Sequence, residues 1–545
     1  MTASSEYRFS PEERPLFPGS PYSARHTSRN KVLYATSAAV MALGSGLGNG
    51  MITANLASIS GDMGLYLAEA NILLAVYVAF NATANLMLVK ARVQFGIPAT
   101  MHVVLGALMV AQVVQILHPT LGTAILARAV SGLASGGLTT LSLYNIFQVF
   151  PVKTRPVAAV IGFSLPQLAI PLARMFPLSD IAPLGWQGLH MVELALALAA
   201  WAMLNLMPLP PVERGKVFEP LDAVTVMLTI ASMLLICTVC ALGRFYWWTD
   251  AAWLGWMLAA AIPMLALALF IEDRRERPLL LVRWFGTKEI VFFILVAIVV
   301  RLALSEQTYA AIGLLTLGGL TSDQLHPLFA TVMVAMAAGI ATVALTLRPD
   351  RVVPTIMTAA LIIGVGAWLD THSTSVTRPP ELYLSQALLG FGTTLFLGPA
   401  LLFGIGQIIT RGPNYLVSLI VLFSTTQNVG GLAGSAMLST FQITRARVHS
   451  ERLAEALSTG DPAVVERIGI YARLLETRVA DPILLRQQAT GLMGQALSGQ
   501  ANVLAFNDTF WVVTILAFGI ASFIAGVTLL ARLKAGRAQA QQVTR

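Results

Sequence analysis

Apolar stretches of about 17 to 30 residues recur along the whole chain, separated by short breaks rich in Pro, Gly, Lys and Arg. Each is long enough to cross a hydrocarbon core about 30 Å thick at about 1.5 Å of helical rise per residue. The pattern predicts about fourteen membrane-spanning helices, over 32–59, 68–89, 97–117, 120–149, 156–177, 189–209, 222–242, 252–271, 289–317, 326–347, 353–369, 382–409, 414–441 and 509–532. The expected fold class is therefore an all-α integral membrane protein. Residues 1–31, with Pro11, Pro15, Pro18 and Pro21 among Ser, Glu and Arg, read as a flexible tail without a cleavable signal peptide, and 533–545 as a second tail.

Composition agrees with that pattern: 56% of the 545 residues are hydrophobic and 11% charged, against about 25% charged in an ordinary soluble protein. The net charge of +8 would otherwise suggest nucleic acid, but the positions of Lys and Arg explain it as topology. With the N-terminus inside, the tails and inner loops hold about 23 of the 35 basic residues. These include Lys90, Arg92, Lys153, Arg155, Arg214, Lys216, Arg274, Arg275, Arg277, Arg283, Lys288, Arg348, Arg351 and Arg411. The short outer loops hold about two, Arg244 and Arg378. Both termini are expected in the cytoplasm and the protein in the inner membrane. Cys237 and Cys240 lie inside an apolar span, where packing is expected rather than redox or metal chemistry.

Polar residues inside the spans are the candidate chemistry. Arg301 and Glu306 share the ninth span, where a charge at the helix centre costs roughly 2.5 to 3.5 kcal/mol on insertion scales. Five residues separate them, about 140° around an α-helix, so they cannot simply pair with each other. Ser305 and Thr308 share the Arg301 face, and Gln307 neighbours Glu306. Glu306 is the first candidate for a proton carrier, with a fixed acceptor for an arginine as the alternative. Arg128 lies too deep in the fourth span to snorkel and needs a cavity or an acceptor, whether as a functional group or as a bridge between helices. Glu193, near the outer end of the sixth span, is the competing carboxylate, although simple exposure at the interface is the expected reading there. Tyr77, Asn81 and Asn85 repeat every four residues and form one stripe suited either to a cavity or to interhelical hydrogen bonds. Gln167, Gln386 and Gln427 are further cavity candidates, and Tyr309 would supply an aromatic wall. Trp247, Trp248, Trp253 and Trp256, with Tyr246, read as an interfacial aromatic belt.

The chain also repeats itself. Arg128 with Gly132 precedes a TR loop at Thr154 and Arg155 and then Phe163-Ser164-Leu165-Pro166-Gln167. Gln386 with Gly390 precedes a TR loop at Thr410 and Arg411 and then Phe423-Ser424-Thr425-Thr426-Gln427. The offsets of these landmarks are 258, 256 and 260 residues, so one register persists. Two homologous six-helix halves, 32–209 and 289–532, are expected, with two helices over 222–271 inserted between them. This plan, with Arg128, Gly132, Gly136 and Gly137 on the fourth span and Gln427-Asn428-Val429-Gly430-Gly431-Leu432-Ala433-Gly434 followed by Arg445, Arg447 and His449, resembles the fourteen-helix drug:proton antiporters of the EmrB/QacA type in the major facilitator superfamily. The chain departs from that pattern in its first inner loop, where Val89 and Val93 stand at the family's Gly and Asp positions and Gly96 is retained. On the first span Asn49 and Asn55 stand where such transporters carry Asp. Gly162, Pro166 and Pro171 echo the family's fifth-span signature. Gly132, Gly136, Gly137, Pro166, Pro171, Gly430, Gly431 and Gly434 are the expected packing or gating positions.

The resemblance implies a secondary transporter that exports amphipathic drugs or toxic metabolites by alternating access. No cofactor is expected beyond the proton gradient as energy source, and the partners are the bilayer and a small-molecule substrate. Residues 443–508 lie outside by this topology and are expected to form extended helices or a helical hairpin. The resemblance makes a periplasmic adaptor protein, with an outer-membrane channel beyond it, a candidate partner of that segment; a solvated loop without a partner is the alternative. No P-loop, zinc-ligand spacing or nucleophile constellation occurs, so neither an ATP-driven pump nor an enzyme is expected. Uptake or facilitated movement of an endogenous metabolite, and a non-transporting scaffold or sensor, are the alternative functions.

Overall fold

We describe the protein from a computed structural model, which covers Glu13 and residues 20–151, 154–176, 185–412, 415–457 and 461–543. Lys153 and most of the expected N-terminal tail lie outside the described residues. Residues 20–27 rest against the end of a helix, where Gln148 Nε2 donates to the Tyr22 carbonyl over 3.0 Å.

The helices follow the apolar pattern closely. The first group comprises α1 (Ser28–Ala54), α2 (Leu67–Phe95), α3 (Ile97–Leu117), α4 (Leu121–Val149), α5 (Arg155–Ser164), α6 (Ala169–Ala173) and α7 (Gln187–Leu206). Next come α8 (Pro220–Tyr246) and α9 (Ala252–Asp273). The second group comprises α10 (Lys288–Ser305), α11 (Ala311–Leu317), α12 (His326–Thr346), α13 (Val352–Asp370), α14 (Tyr383–Arg411), α15 (Leu416–Ala456), α16 (Pro462–Leu475) and α17 (Pro482–Val543). Among the described residues, twelve helices are long and apolar enough to cross a membrane, which makes this a multi-pass membrane protein. Helix α1 and the broken α10–α11 are not among those twelve.

Two spans are interrupted, one of them at prolines. Pro166 and Pro171 lack a backbone N–H, and between α5 and α6 the chain takes a 3₁₀ turn, Leu165–Leu168. Between α10 and α11 it widens into a π-helical turn, Glu306–Ala310. Gly96 ends α2 at φ +88°, a conformation open to glycine and strained for other residues. A Cβ there would also come within 2.9 Å of the Arg214 guanidinium.

Helix pairing repeats between the two groups. Second packs on fourth, third on fourth, first on sixth and third on sixth in both, as α2·α4, α3·α4, α1·α7 and α3·α7, then α12·α14, α13·α14, α10·α17 and α13·α17. The groups meet through α2·α15 on one side and α5 with α12 and α14 on the other. Helix α8 packs on α9 and on both α2 and α15, so it covers one seam between the groups.

Small residues permit these close approaches. A Cβ on Gly132 would lie 2.5 Å from the Tyr77 carbonyl oxygen, one on Gly136 2.5 Å from Ala84 Cβ, and one on Gly137 2.8 Å from Met101 Cε. Gly434 similarly admits Ser305 Oγ, at 2.5 Å from the ideal Cβ position.

Charged groups at the expected cytoplasmic ends hold α2, α8 and α9 together. Lys90 meets Asp222 at 2.8 Å, and Arg275 reaches Glu219, Asp222 and Glu272 at 2.6, 2.7 and 2.8 Å. Burial opposes the Arg275 charge, but hydrogen bonds to these three carboxylates outweigh it and raise its pKa above the ordinary arginine value. At the other end, Asp508 of α17 accepts from Arg445 Nε (2.6 Å) and lies 2.7 Å from His449 Nε2, both on α15. Arg447 lies over Trp247, 4.7 Å from the ring centroid, and Trp248 Nε1 donates to Thr440 Oγ1 over 2.8 Å. Part of the expected aromatic belt thus anchors α15. Cys237 is buried, and Cys237 and Cys240 are both free.

Candidate functional site

A cavity of about 200 Å³ lies between the two groups of helices. The four-residue spacing of Tyr77, Asn81 and Asn85 puts all three on one face of α2, and that face forms one wall. Ser135, Thr139 and Thr140 of α4 complete it, with Ser45 and Asn49 of α1. Tyr77 Oη donates to the Ser45 carbonyl over 3.0 Å and lies 2.8 Å from Ser135 Oγ, and Asn81 Nδ2 donates to Ser135 Oγ over 2.9 Å. These bonds hold the amides at the wall.

The two repeat segments form the facing walls. Phe163, Pro166 and Gln167 come from the first, and Phe423, Ser424, Gln427 and Asn428 from the second. The rings of Phe163 and Phe423 meet edge to face, 6.1 Å between centroids. Asn428 Nδ2 reaches Asn81 Oδ1 at 3.4 Å, a hydrogen bond between the two groups of helices. Arg301 enters from α10, and its Nε donates to the Gln427 carbonyl over 2.9 Å.

Behind the first wall lies a buried polar cluster. Arg128 Nη2 donates to Asn49 Oδ1 over 2.5 Å, its guanidinium covers the Tyr77 ring at 4.5 Å, and its Nη1 is 3.7 Å from Glu193 Oε2. Glu193 also accepts from Ser131, which accepts from Gln112 Nε2 at 3.2 Å; Gln112 Oε1 is 2.6 Å from His190 Nδ1. The expectation that Glu193 is exposed at the interface is therefore corrected. Helix α7 turns Glu193 and His190 toward α1, α3 and α4, and Gly48 makes room, since a Cβ there would lie 2.7 Å from Glu193 Cδ.

Glu306 does not meet an arginine among the described residues, the partner that the alternative to a proton carrier would give it. It is fully buried, and its Oε1 accepts from Gln386 Nε2 over 3.1 Å. The same nitrogen donates to Asp370 Oδ2 over 2.7 Å, so one amide bridges the two carboxylates. Among the described residues neither carboxylate forms an ion pair, and Glu306 Oε2 has no partner. Two buried carboxylates are thus bridged by one amide, with no cation paired to either among the described residues. Five residues of α-helix, about 140° of rotation, let Glu306 meet α13 and α14 while Arg301 faces α15.

Tyr77, Asn81, Asn85, Gln167 and Gln427 thus share one cavity with Arg301. Gln386 and Tyr309, also expected on it, lie elsewhere. Gln386 is bound to the carboxylates, and Tyr309, within the π turn, packs on Phe506 and donates to Gln442 Oε1 over 3.3 Å. Gly430 and Gly431 adjoin Arg301. Asp370 and Asn49 are members of these clusters that the polar positions within the spans do not single out. Asp370 fell one residue past a span end; the 258-residue offset, which pairs it with Gln112 and pairs Gln386 with Arg128, is the signal that finds it.

No group of three or more His, Cys, Asp or Glu side chains suited to a metal occurs among the described residues. No protein-family model matches the chain, and no curated protein sequence does. Solved structures do. The human organic anion transporter MFSD10 (TETRAN) superposes with a TM-score of 0.51 at 11% identity, covering 89% of this chain and 99% of that one. The proton:xylose symporter XylE, bound to 6-bromo-6-deoxy-D-glucose, gives 0.55 at 14%, covering 92% and 96%. A bacterial homologue of the human drug peptide transporters PepT1 and PepT2 gives 0.55 at 11%, covering 92% and 99%. The chain has the fold of the major facilitator superfamily.

Proposed function

We propose that this protein is a proton-coupled secondary transporter working by alternating access. The observation that carries the reading is the polar cavity between two helix groups of repeated pairing, where the span that begins with α10 bears Arg301 on the cavity and, at the π turn directly after α10, Glu306 in the carboxylate pair. Rocking of the two groups about the cavity would expose it to each side in turn. A proton on the Glu306–Asp370 pair removes repulsion between two buried carboxylates, and its loss restores it, so the packing of α10 against α13 and α14 responds to protonation. That shift travels along α10 to Arg301. Helices α8 and α9 complete a fourteen-helix plan in the inner membrane with both termini in the cytoplasm. Export driven by inward proton flow is the direction that the resemblance to drug:proton antiporters supports. The amide and hydroxyl lining favours a polar solute over a lipophilic drug. A periplasmic adaptor remains the candidate partner of the segment between α15 and α17.

Proteoliposomes separate the steps. Wild type is expected to accumulate solute under a pH gradient and to lose accumulation with a protonophore. Glu306→Gln is expected to keep solute exchange at equal pH and lose gradient-driven accumulation. Flux in wild type that ignores the gradient would overturn the coupling, and absence of any flux would overturn transport.

A further inference from the structure

We infer that the cavity selects a small polar organic anion carrying one negative charge, and that Arg301 is the group that binds its carboxylate. This rests on the transport reading of the same cavity and names its cargo.

Arg301 is the one charged residue on the cavity wall; no Asp, Glu, Lys or His lines it among the described residues. Two contacts hold the side chain in place. Its Nε is held by the Gln427 carbonyl at 2.9 Å, and the guanidinium lies against Gly431, where a Cβ would come within 2.8 Å of Nε and 2.9 Å of Nη2. Its two Nη nitrogens donate to no group among the described residues, and it takes part in no ion pair. Of the other buried charges nearest the cavity walls, Arg128 is engaged with Asn49 and Glu193, and Glu306 and Asp370 with Gln386.

A second donor without an acceptor belongs to another residue that lines the cavity. Gln427 Nε2 is buried and has no hydrogen-bond partner. An oriented guanidinium edge and an amide N–H together ask for an acceptor with negative charge, and a carboxylate offers two oxygens to a guanidinium fork. One uncompensated cation balances one charge, so a monocarboxylate fits better than a phosphate dianion, whose second charge would stay unpaired away from water. Asn81, Asn428 and Gln167 supply neutral hydrogen-bonding groups for the rest of the solute, and the Phe163–Phe423 pair gives it one apolar wall.

The test uses charge-matched sets at three sizes: lactate, lactamide and 1-amino-2-propanol; 4-hydroxybenzoate, 4-hydroxybenzamide and tyramine; glucuronate, glucose and glucosamine. Glucose 6-phosphate is added as a dianion. Binding to the purified full chain is read by thermal shift and titration, and flux is read in proteoliposomes. In at least one set the carboxylate is expected to bind about tenfold or more tightly than its neutral and cationic partners. Arg301→Gln is expected to abolish that preference and Arg301→Lys to weaken it. Neutral or cationic members binding as tightly as the carboxylates overturns the proposal, as does failure of every carboxylate to bind, or tighter binding of the dianion. Should Arg301→Gln fail to fold, Arg301→Lys and the wild-type charge ranking decide. Carboxylate binding without flux would sink the transport reading and leave the anion site, whereas flux confined to neutral or cationic members would do the reverse.

Discussion

Arg128 and Gln386 stand 258 residues apart, and each donates to the first helix of its own group, Arg128 to Asn49 and Gln386 to Glu306. The repeat has therefore kept the position of a buried polar link while exchanging its charge. In the first group a cation on the fourth helix meets an amide and, more distantly, Glu193. In the second a neutral amide meets two carboxylates.

Asp370→Asn is expected to uncouple transport as Glu306→Gln does, because either change removes one member of the proton-sharing pair. The double variant should be no worse than either single one, since both act on one shared proton. Gradient-driven accumulation and exchange at equal pH, measured side by side, check this. Additive losses would mean that the two carboxylates act separately.

Glu193→Ala leaves the buried Arg128 guanidinium without its carboxylate. Breaking a buried pair at one partner typically costs about 3–5 kcal/mol, so the variant should melt well below wild type in detergent. Glu193→Gln, which keeps an acceptor for Ser131, should lose less. Equal melting of all three proteins would show that the 3.7 Å contact contributes little.

Gly431→Ala forces the Arg301 guanidinium off its seat on α15, because the added methyl would sit 2.8 Å from Nε. Solute affinity should fall about tenfold with little change in melting. Gly44→Ala is the control: its Cβ would meet only Leu138, at an ordinary 3.5 Å. Matching effects of the two changes on affinity would dismiss a special role for Gly431.

Phe163→Cys with Phe423→Cys, in a chain whose Cys237 and Cys240 are replaced by Ser, places thiols where two rings now meet across the cavity. Crosslinking them should arrest transport, and reduction should restore it, if the two groups part during the cycle. Transport that continues while crosslinked excludes separation at this contact.

Asp508→Asn weakens the link from α17 to Arg445 and His449 beyond the membrane spans. These groups are partly exposed, so the loss should be modest, about 1 kcal/mol or less. Faster limited proteolysis around α16, with flux unchanged, is the expected outcome; a fall in flux would tie this segment to the cycle.

Much of the architecture was legible in the sequence because a bilayer demands about 20 apolar residues per crossing and lets few charges inside. Span positions, the repeat register and the polar stripe at Tyr77, Asn81 and Asn85 all follow from spacing along one chain. Partners do not. Helical spacing says which side chains share a face, but not which neighbour that face meets. The sequence could therefore place Glu193 and Glu306 within a few residues, yet only packing buried the first beside Arg128 and joined the second to Asp370. The π turn that begins at Glu306 re-aims the residues after it, Tyr309 among them, in a way that a uniform helical period cannot anticipate. Asp370 marks the same boundary: one residue beyond an apolar span it reads as a helix end, and the close approach of α10, α13 and α14 makes it part of a buried site.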